Sequence, residues 1–200
     1  MLINFLMNKL RTVIFGGSFD PIHIGHVSLA GEVLRCGLAD EVWFMVSPQN
    51  PFKQGSGLSC EERRLDMVRL AIDGHEGFVA SDFEFSLPRP SYTLNTLDAL
   101  SGSFPDREFI LLVGADNWEK FDNWYKSDEI LSRYRIIVYP RGNEEQPPLP
   151  CNVQWLPSPL FDVSSTMVRD IVSQGGCVDG YVHPEVARYI YRNNLYSKRK

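Results

Sequence analysis

Two histidines three residues apart follow a glycine pair in the stretch Gly16-Gly17-Ser18-Phe19-Asp20-Pro21-Ile22-His23-Ile24-Gly25-His26. Paired glycines let a backbone turn sharply and approach a ligand, because no Cβ blocks either. A helix starting near Ile24 would aim its first N–H groups and its positive dipole end at an anion. On that first turn His23 and His26 share one side, so both can donate hydrogen bonds to oxygens of a single phosphate. The stretch therefore reads as a place to hold and polarise phosphate. A metal pair and plain capping histidines are the alternative readings. A metal would need further ligands, and His75 and His183 lack supporting spacing. The pattern is neither a Walker A loop, which requires G-K-[S/T], nor the G-x-G-x-x-G dinucleotide fingerprint.

These residues need a frame to hold them. Apolar runs suited to strands buried on both faces occur at Thr12–Phe15, Val42–Val46, Phe109–Val113 and Arg135–Tyr139. Helical patterns lie between them. Ile24, Val27, Ala30, Val33 and Leu34 share one face of the first. Ser59 with Glu62 predicts a capping box ahead of Leu65, Val68 and Ile72, and residues 91–103 predict a third helix. Such alternation predicts an α/β fold, a doubly wound parallel sheet with right-handed crossovers. Ligands of these sheets bind beyond the carboxyl ends of the strands, at the topological switch point, which is where the glycine turn falls. Six prolines within residues 140–160 predict a surface excursion around one short strand near Val153–Leu156. Two helices follow, from Ser165 and from Pro184, the latter suited to a first helical position. One domain is expected, with an α/β core over about 11–160 and a small C-terminal helical portion over about 161–200.

Composition narrows the classes. The 200 residues carry a net charge of −5, with 44% hydrophobic and 22% charged residues, which is ordinary soluble usage and argues against a nucleic-acid-coating surface. Lys198-Arg199-Lys200 reads as a solvated tail. Cys36, Cys60, Cys151 and Cys177 are widely spaced, indicating neither a disulfide framework nor a zinc site, so reduced thiols in a cytoplasm are expected. Met1 to Met7 is too short and wrongly flanked for a signal peptide. No apolar run reaches the ~20 residues of a membrane helix.

Gly17 to His26 resembles the G-x-F-D-P-x-H-x-G-H signature of the nucleotidyltransferase superfamily, and its His-Ile-Gly-His spells the signature of class I aminoacyl-tRNA synthetases. The superfamily's second signature is similar to Val163-Ser164-Ser165-Thr166-Met167-Val168-Arg169. Ser-Ser-Thr is also a common helix cap. Within the superfamily, most of residues 11–196 resembles the nicotinate mononucleotide adenylyltransferases of bacterial NAD biosynthesis. The resemblance implies a Rossmann-like fold and several roles. Gly16, Gly17, Ser18, Phe19 and Gly25 would shape the ATP site. Ser164, Ser165, Thr166 and Arg169 would grip the β- and γ-phosphates. Lys53, in Pro51-Phe52-Lys53, would assist on the phosphate chain, although a histidine commonly stands where Phe52 does. Gly114 and Asp116, in Gly114-Ala115-Asp116-Asn117, would meet the adenosine ribose. Thr93, in the Pro90-to-Thr96 motif, and Trp124-Tyr125 would receive the pyridine ring. Plainer readings stand beside these: a loop lysine for Lys53, a helix cap for Asp116, a helix start for Thr93 and a core ring for Trp124. Residues before Arg11 exceed the family pattern, which makes Met7 a candidate start.

The reaction so implied is adenylyl transfer. The 5′-phosphate of nicotinate mononucleotide attacks the α-phosphorus of ATP in line, giving nicotinate adenine dinucleotide and pyrophosphate. Its nucleophile is already an anion, so no general base is needed, and catalysis rests on positioning and charge stabilisation by His23, His26, Lys53 and Arg169. Mg2+ is expected to arrive with ATP, with no dedicated metal site on the chain. No nucleic-acid or membrane partner is expected. Three competitors share some of these features: a sister transferase acting on another acceptor such as phosphopantetheine, a synthetase fragment, and a non-catalytic nucleotide sensor. The aromatic pair and the Pro90-to-Thr96 motif disfavour the first; shortness and acidity disfavour the second. Retention of both histidines and Arg169 disfavours the third.

Overall fold

Alternate residues of the apolar runs face opposite sides of one sheet. The computed structural model describes residues 9–48, 58–140, 142, 146, 148–159 and 161–197. Strands β1 (Leu10–Gly17), β2 (Glu41–Val46), β3 (Phe78–Ser81), β4 (Arg107–Gly114), β5 (Arg135–Tyr139) and β6 (Val153–Trp155) pair in the order β3-β2-β1-β4-β5-β6. Every pairing is parallel. Val13 and Phe15, Val42 and Phe44, and Ile110 and Leu112 enter one core. Their neighbours Ile14, Trp43, Met45, Phe109, Leu111 and Val113 enter the other. Apolar residues on both faces at a period of two are what a helix-covered parallel sheet requires.

The helices are α1 (Ile24–Arg35), α2 (Glu61–Ile72), α3 (Thr93–Ser103), α4 (Ala115–Trp118), α5 (Ser127–Arg133), α6 (Ser165–Ser173) and α7 (Pro184–Arg192). Leu29 and Val33 of α1, Leu65 and Val68 of α2, Val168 of α6 and Ile190 of α7 close the first core. Leu94, Leu97 and Leu100 of α3 and Ile130 of α5 close the second. The sheet is thus doubly wound, as the alternation predicted. Residues beyond 160 add their apolar faces to the first core instead of building one of their own.

After β3 the chain returns to lay β4 beside β1, so the strand order reverses between β1 and β4. The carboxyl ends of these two strands, Gly17 and Gly114, flank the crevice that a reversal opens.

Sequence periodicity misses three elements, each too short to show a period. Strand β3 is a four-residue edge, α4 is one turn, and α5 buries only Ile130. The Ser59–Glu62 capping box is corrected: Cys60 is the N-cap of α2 and makes no side-chain cap bond. The Ser59 N–H instead donates to Asp20 Oδ2 at 3.1 Å, a long-range pairing that the local pattern cannot announce. No described helix is long and apolar enough to cross a membrane.

Candidate active site

His23 is the N-cap of α1, with an extended backbone, and its N–H donates to His26 Nδ1 at 3.2 Å. The two imidazoles stack with centroids 3.7 Å apart. A ring nitrogen that accepts leaves the proton on the other, so His26 offers Nε2–H as a donor. Phe19 meets the His26 ring edge-on at 5.1 Å, and Phe15 stands 5.8 Å away. Phe19 adopts φ 46°, and its side chain is buried on Phe15 and Phe44. It therefore buttresses His26 from behind. The N–H of Ile24, the first of α1, donates to Tyr181 C=O at 2.9 Å, so this N–H of the expected anion cradle is already taken.

Helix α6 brings the second motif onto the first. Ser164 caps α6 by accepting from Met167 N–H at 3.1 Å. Ser165 Oγ donates to Pro21 C=O at 2.8 Å. Arg169 donates to Asp20 C=O at 2.7 Å and to Thr166 Oγ1 at 3.1 Å. A Cβ on Gly25 would come within 3.0 Å of Val163 Cγ1 and 3.1 Å of Phe161 Cβ, so glycine permits this close approach. The two motif ends of the chain are therefore neighbours, with the Ser165 hydroxyl and Arg169 holding the junction.

Asp20, 1% exposed, ties further segments to the same place. Besides Ser59 N–H it accepts from Tyr196 Oη at 2.6 Å. Burial, reinforced by the Asp20 charge, pushes the Tyr196 phenol far above its ordinary range, so it stays a donor. Tyr196→Phe is expected to cost about 1.5–3 kcal/mol, because a buried carboxylate loses a charge-assisted bond. A thermal midpoint equal to that of the unaltered chain would contradict this. Arg64, also 1% exposed, donates to the carbonyls of Ser18 at 2.6 Å, Ser59 at 3.0 Å and Pro48 at 3.3 Å. Burial lowers its pKa, opposed by Asp20 and Glu61, yet a guanidinium remains charged.

Beside this node a cavity of about 510 Å³ opens over the carboxyl ends of the strands. Gly16, Gly17, Ser18 and Gly114 line it, as do Thr93, Trp124 and Tyr125. Thr93 opens α3, whose first N–H groups lack partners within the helix. Trp124 is half-buried, with its ring 5.4 Å from that of Phe121. Tyr125 lies 4.7 Å from Tyr92, centroid to centroid. Phe15 joins the two halves, since it lines the cavity and packs on His26. Asp116 is exposed on α4 and lies off the cavity wall, where Asn117 stands instead. Lys53 lies outside the described residues.

A sequence model described as cytidylyltransferase-like matches residues 14–171. The "Probable nicotinate-nucleotide adenylyltransferase" of Bacteroides fragilis is 48% identical over 186 residues, covering 92% of each chain. The identically named protein of Cytophaga hutchinsonii is 41% identical, covering 94% of this chain and 99% of its own. The chain belongs to the nicotinate-nucleotide adenylyltransferase family. The fold also matches Plasmodium falciparum nicotinic acid mononucleotide adenylyltransferase complexed with NaAD. The TM-score is 0.76 at 20% identity, over 94% of this chain and 97% of that one.

In this adenylyltransferase fold three residues that motif reading passes over take part in the site. Arg64 falls on the buried stripe of α2, at helical spacing from Met67 and Ala71. That misplaced charge is a signal the sequence does carry. Glu84 stands between Phe83 and Phe85, again a lone charge in an apolar setting. Asn117 closes the Gly114-Ala115-Asp116-Asn117 motif, in which Asp116, not Asn117, is expected to meet the ribose.

Proposed function

We propose that this chain transfers the adenylyl group of ATP to nicotinate mononucleotide, giving nicotinate adenine dinucleotide and pyrophosphate. The observation that carries this reading is the junction at the β1–β4 switch. There the histidine node and an aromatic-walled cavity share Phe15 and the glycine turn. His26 Nε2–H and His23 would hold the α-phosphate, and their donors strengthen as negative charge grows there in the transition state. Arg169 and the N-terminus of α6 would take the β- and γ-phosphates, with Lys53 assisting. Gly114 and Asp116 would sit at the ribose.

The pyridine would enter the cavity against Trp124, its ring substituent toward the N-terminus of α3 at Thr93. Trp124→Ala is expected to raise KM for nicotinate mononucleotide about three- to tenfold, the worth of an aromatic stack, while KM for ATP moves less than about twofold. Equal effects on both substrates would contradict this placement.

The attacking phosphate is an anion, so positioning replaces a general base. Among the described residues no group of three or more His, Cys, Asp or Glu converges to hold a metal ion, and Asp20 is taken by Ser59 and Tyr196. This donor set fits Mg2+ carried by the nucleotide better than a cation caged by the chain. When bound with the nucleotide, Mg2+ would supply positive charge that offsets the charge of the phosphates. We place the protein in the cytoplasm, a reading supported by four free cysteines, three of them exposed.

Pyrophosphate release from ATP, followed with nicotinate mononucleotide, with phosphopantetheine and with no acceptor, tests the proposal. Release should depend on the pyridine mononucleotide. Release driven by phosphopantetheine would favour a sister transferase, and ATP binding without release would favour a sensor.

A further inference from the structure

Beyond α7 the backbone turns through two left-handed residues, Asn194 at φ 51° and Tyr196 at φ 61°, on either side of buried Leu195. An aromatic residue rarely takes that conformation, and such strain persists only where the surroundings fix it. Here it delivers the Tyr196 hydroxyl to Asp20 Oδ1 at 2.6 Å, with Met67 Sδ 4.0 Å away and the Ser59 hydroxyl also bearing on it. The other carboxylate oxygen, Oδ2, takes the Ser59 N–H at 3.1 Å. Two guanidinium groups act near this pair, and both spend donors on carbonyls instead of on the carboxylate. Arg64 serves those of Ser18, Ser59 and Pro48. Arg169 serves the C=O of Asp20 itself at 2.7 Å, and Thr166 Oγ1 at 3.1 Å. Those two bonds leave it further N–H donors, since a guanidinium carries five.

We propose that Tyr196 is a positioning residue of the nucleotide site: its hydroxyl holds the Asp20 carboxylate away from Arg169 and so leaves that guanidinium available to phosphate. This rests on the placement of Arg169 at the β- and γ-phosphates given above. Asp20 is 1% exposed, and a buried carboxylate has to be bonded or paired. Without the phenol it would keep only the Ser59 N–H, while the Arg169 fork already touches the same residue through its carbonyl. A turn of the Asp20 side chain would then form an internal ion pair in competition with the triphosphate. Burial and the Asp20 charge push the phenol far above its ordinary range, with the Ser59 hydroxyl and the Arg169 charge pulling the other way. Tyr196 therefore remains a donor, and Arg169 lies close enough to act on the pair. A hydroxyl also satisfies the carboxylate without adding charge beside the nucleotide.

The test is the Kd for ATP and for AMP, measured by titration calorimetry with no acceptor present, so that the identity of the acceptor does not enter. AMP lacks the β- and γ-phosphates and reports on the rest of the site. Tyr196→Phe should weaken ATP at least about tenfold and AMP less than about twofold. A merely structural loss would weaken both alike. Arg169→Ala should also weaken ATP, and adding Tyr196→Phe to it should cost less than about twofold more, because the carboxylate then has no guanidinium to capture. Asp20→Asn combined with Tyr196→Phe removes the charge yet keeps an acceptor for the Ser59 N–H. This pair should bind ATP at least about threefold more tightly than Tyr196→Phe alone or, should that variant fold poorly, than Arg169→Ala. Unweakened ATP binding by Tyr196→Phe, equal losses for ATP and AMP, additive losses with Arg169→Ala, or failure of the Asn pair to rescue overturns the proposal. If Arg169→Ala binds ATP as the unaltered chain does, the phosphate reading of Arg169 falls and takes this proposal with it.

Discussion

His26→Ala is expected to lower turnover roughly 10²- to 10³-fold, the usual loss for one well-placed donor to a transition-state oxyanion. The size follows from how the ring is held. Its Nδ1 is fixed by the His23 N–H, its face by the stacked His23 ring, and its edge by Phe19, so Nε2–H is oriented before the nucleotide arrives. Preorganisation of this kind favours the transition state over the bound substrates, so kcat and kcat/KM should fall together with KM for ATP little changed. The side chain is only half-buried, so the fold should survive. A loss of less than about threefold in turnover, in a variant with an unchanged thermal midpoint, would remove His26 from the chemistry.

The second large effect falls on Arg64. Arg64→Leu strips three carbonyls, those of Ser18, Pro48 and Ser59, of their shared donor, and it removes a positive charge that acts on buried Asp20. Breaking a buried ionic arrangement from one side costs about 3–5 kcal/mol, which for a chain of this length lowers the thermal midpoint by about 10 °C. Because Ser18 lies in the glycine turn, KM for ATP should rise as well. Arg64→Lys should restore only part of both, since one ammonium cannot span three carbonyls as a planar fork does. A midpoint within about 2 °C of the unaltered chain would show that the carbonyls find other partners.

The frame was legible because its cause is local. Residues alternating between two apolar faces mark β1, β2, β4 and β5 without reference to any other part of the chain, and a right-handed doubly wound sheet then fixes where its ligands bind. The glycine turn and the paired histidines were legible for the same reason. What binds the site together was not. Tyr196 reaches Asp20 across most of the chain, and the Ser59 N–H abandons its expected cap for the same carboxylate. Nothing within a helical or strand period encodes such pairings. Phe19 shows the converse limit: a motif residue expected at the nucleotide proves to be the wall that steadies His26. Arg64 and Glu84 were detectable only as charges in apolar settings, whose purpose required neighbours distant in sequence.

In the proposed reading, the node at the start of α1 and α6 governs how the adenylyl group moves, and the cavity under Trp124 and Thr93 governs what receives it. The most direct test of that division is a side-by-side measurement of dinucleotide formation from ATP with nicotinate mononucleotide and with nicotinamide mononucleotide at neutral pH. Nicotinate adenine dinucleotide should form in step with pyrophosphate, one for one, and faster than the amide product. Comparable rates with the two acceptors, or pyrophosphate released without dinucleotide, would contradict it.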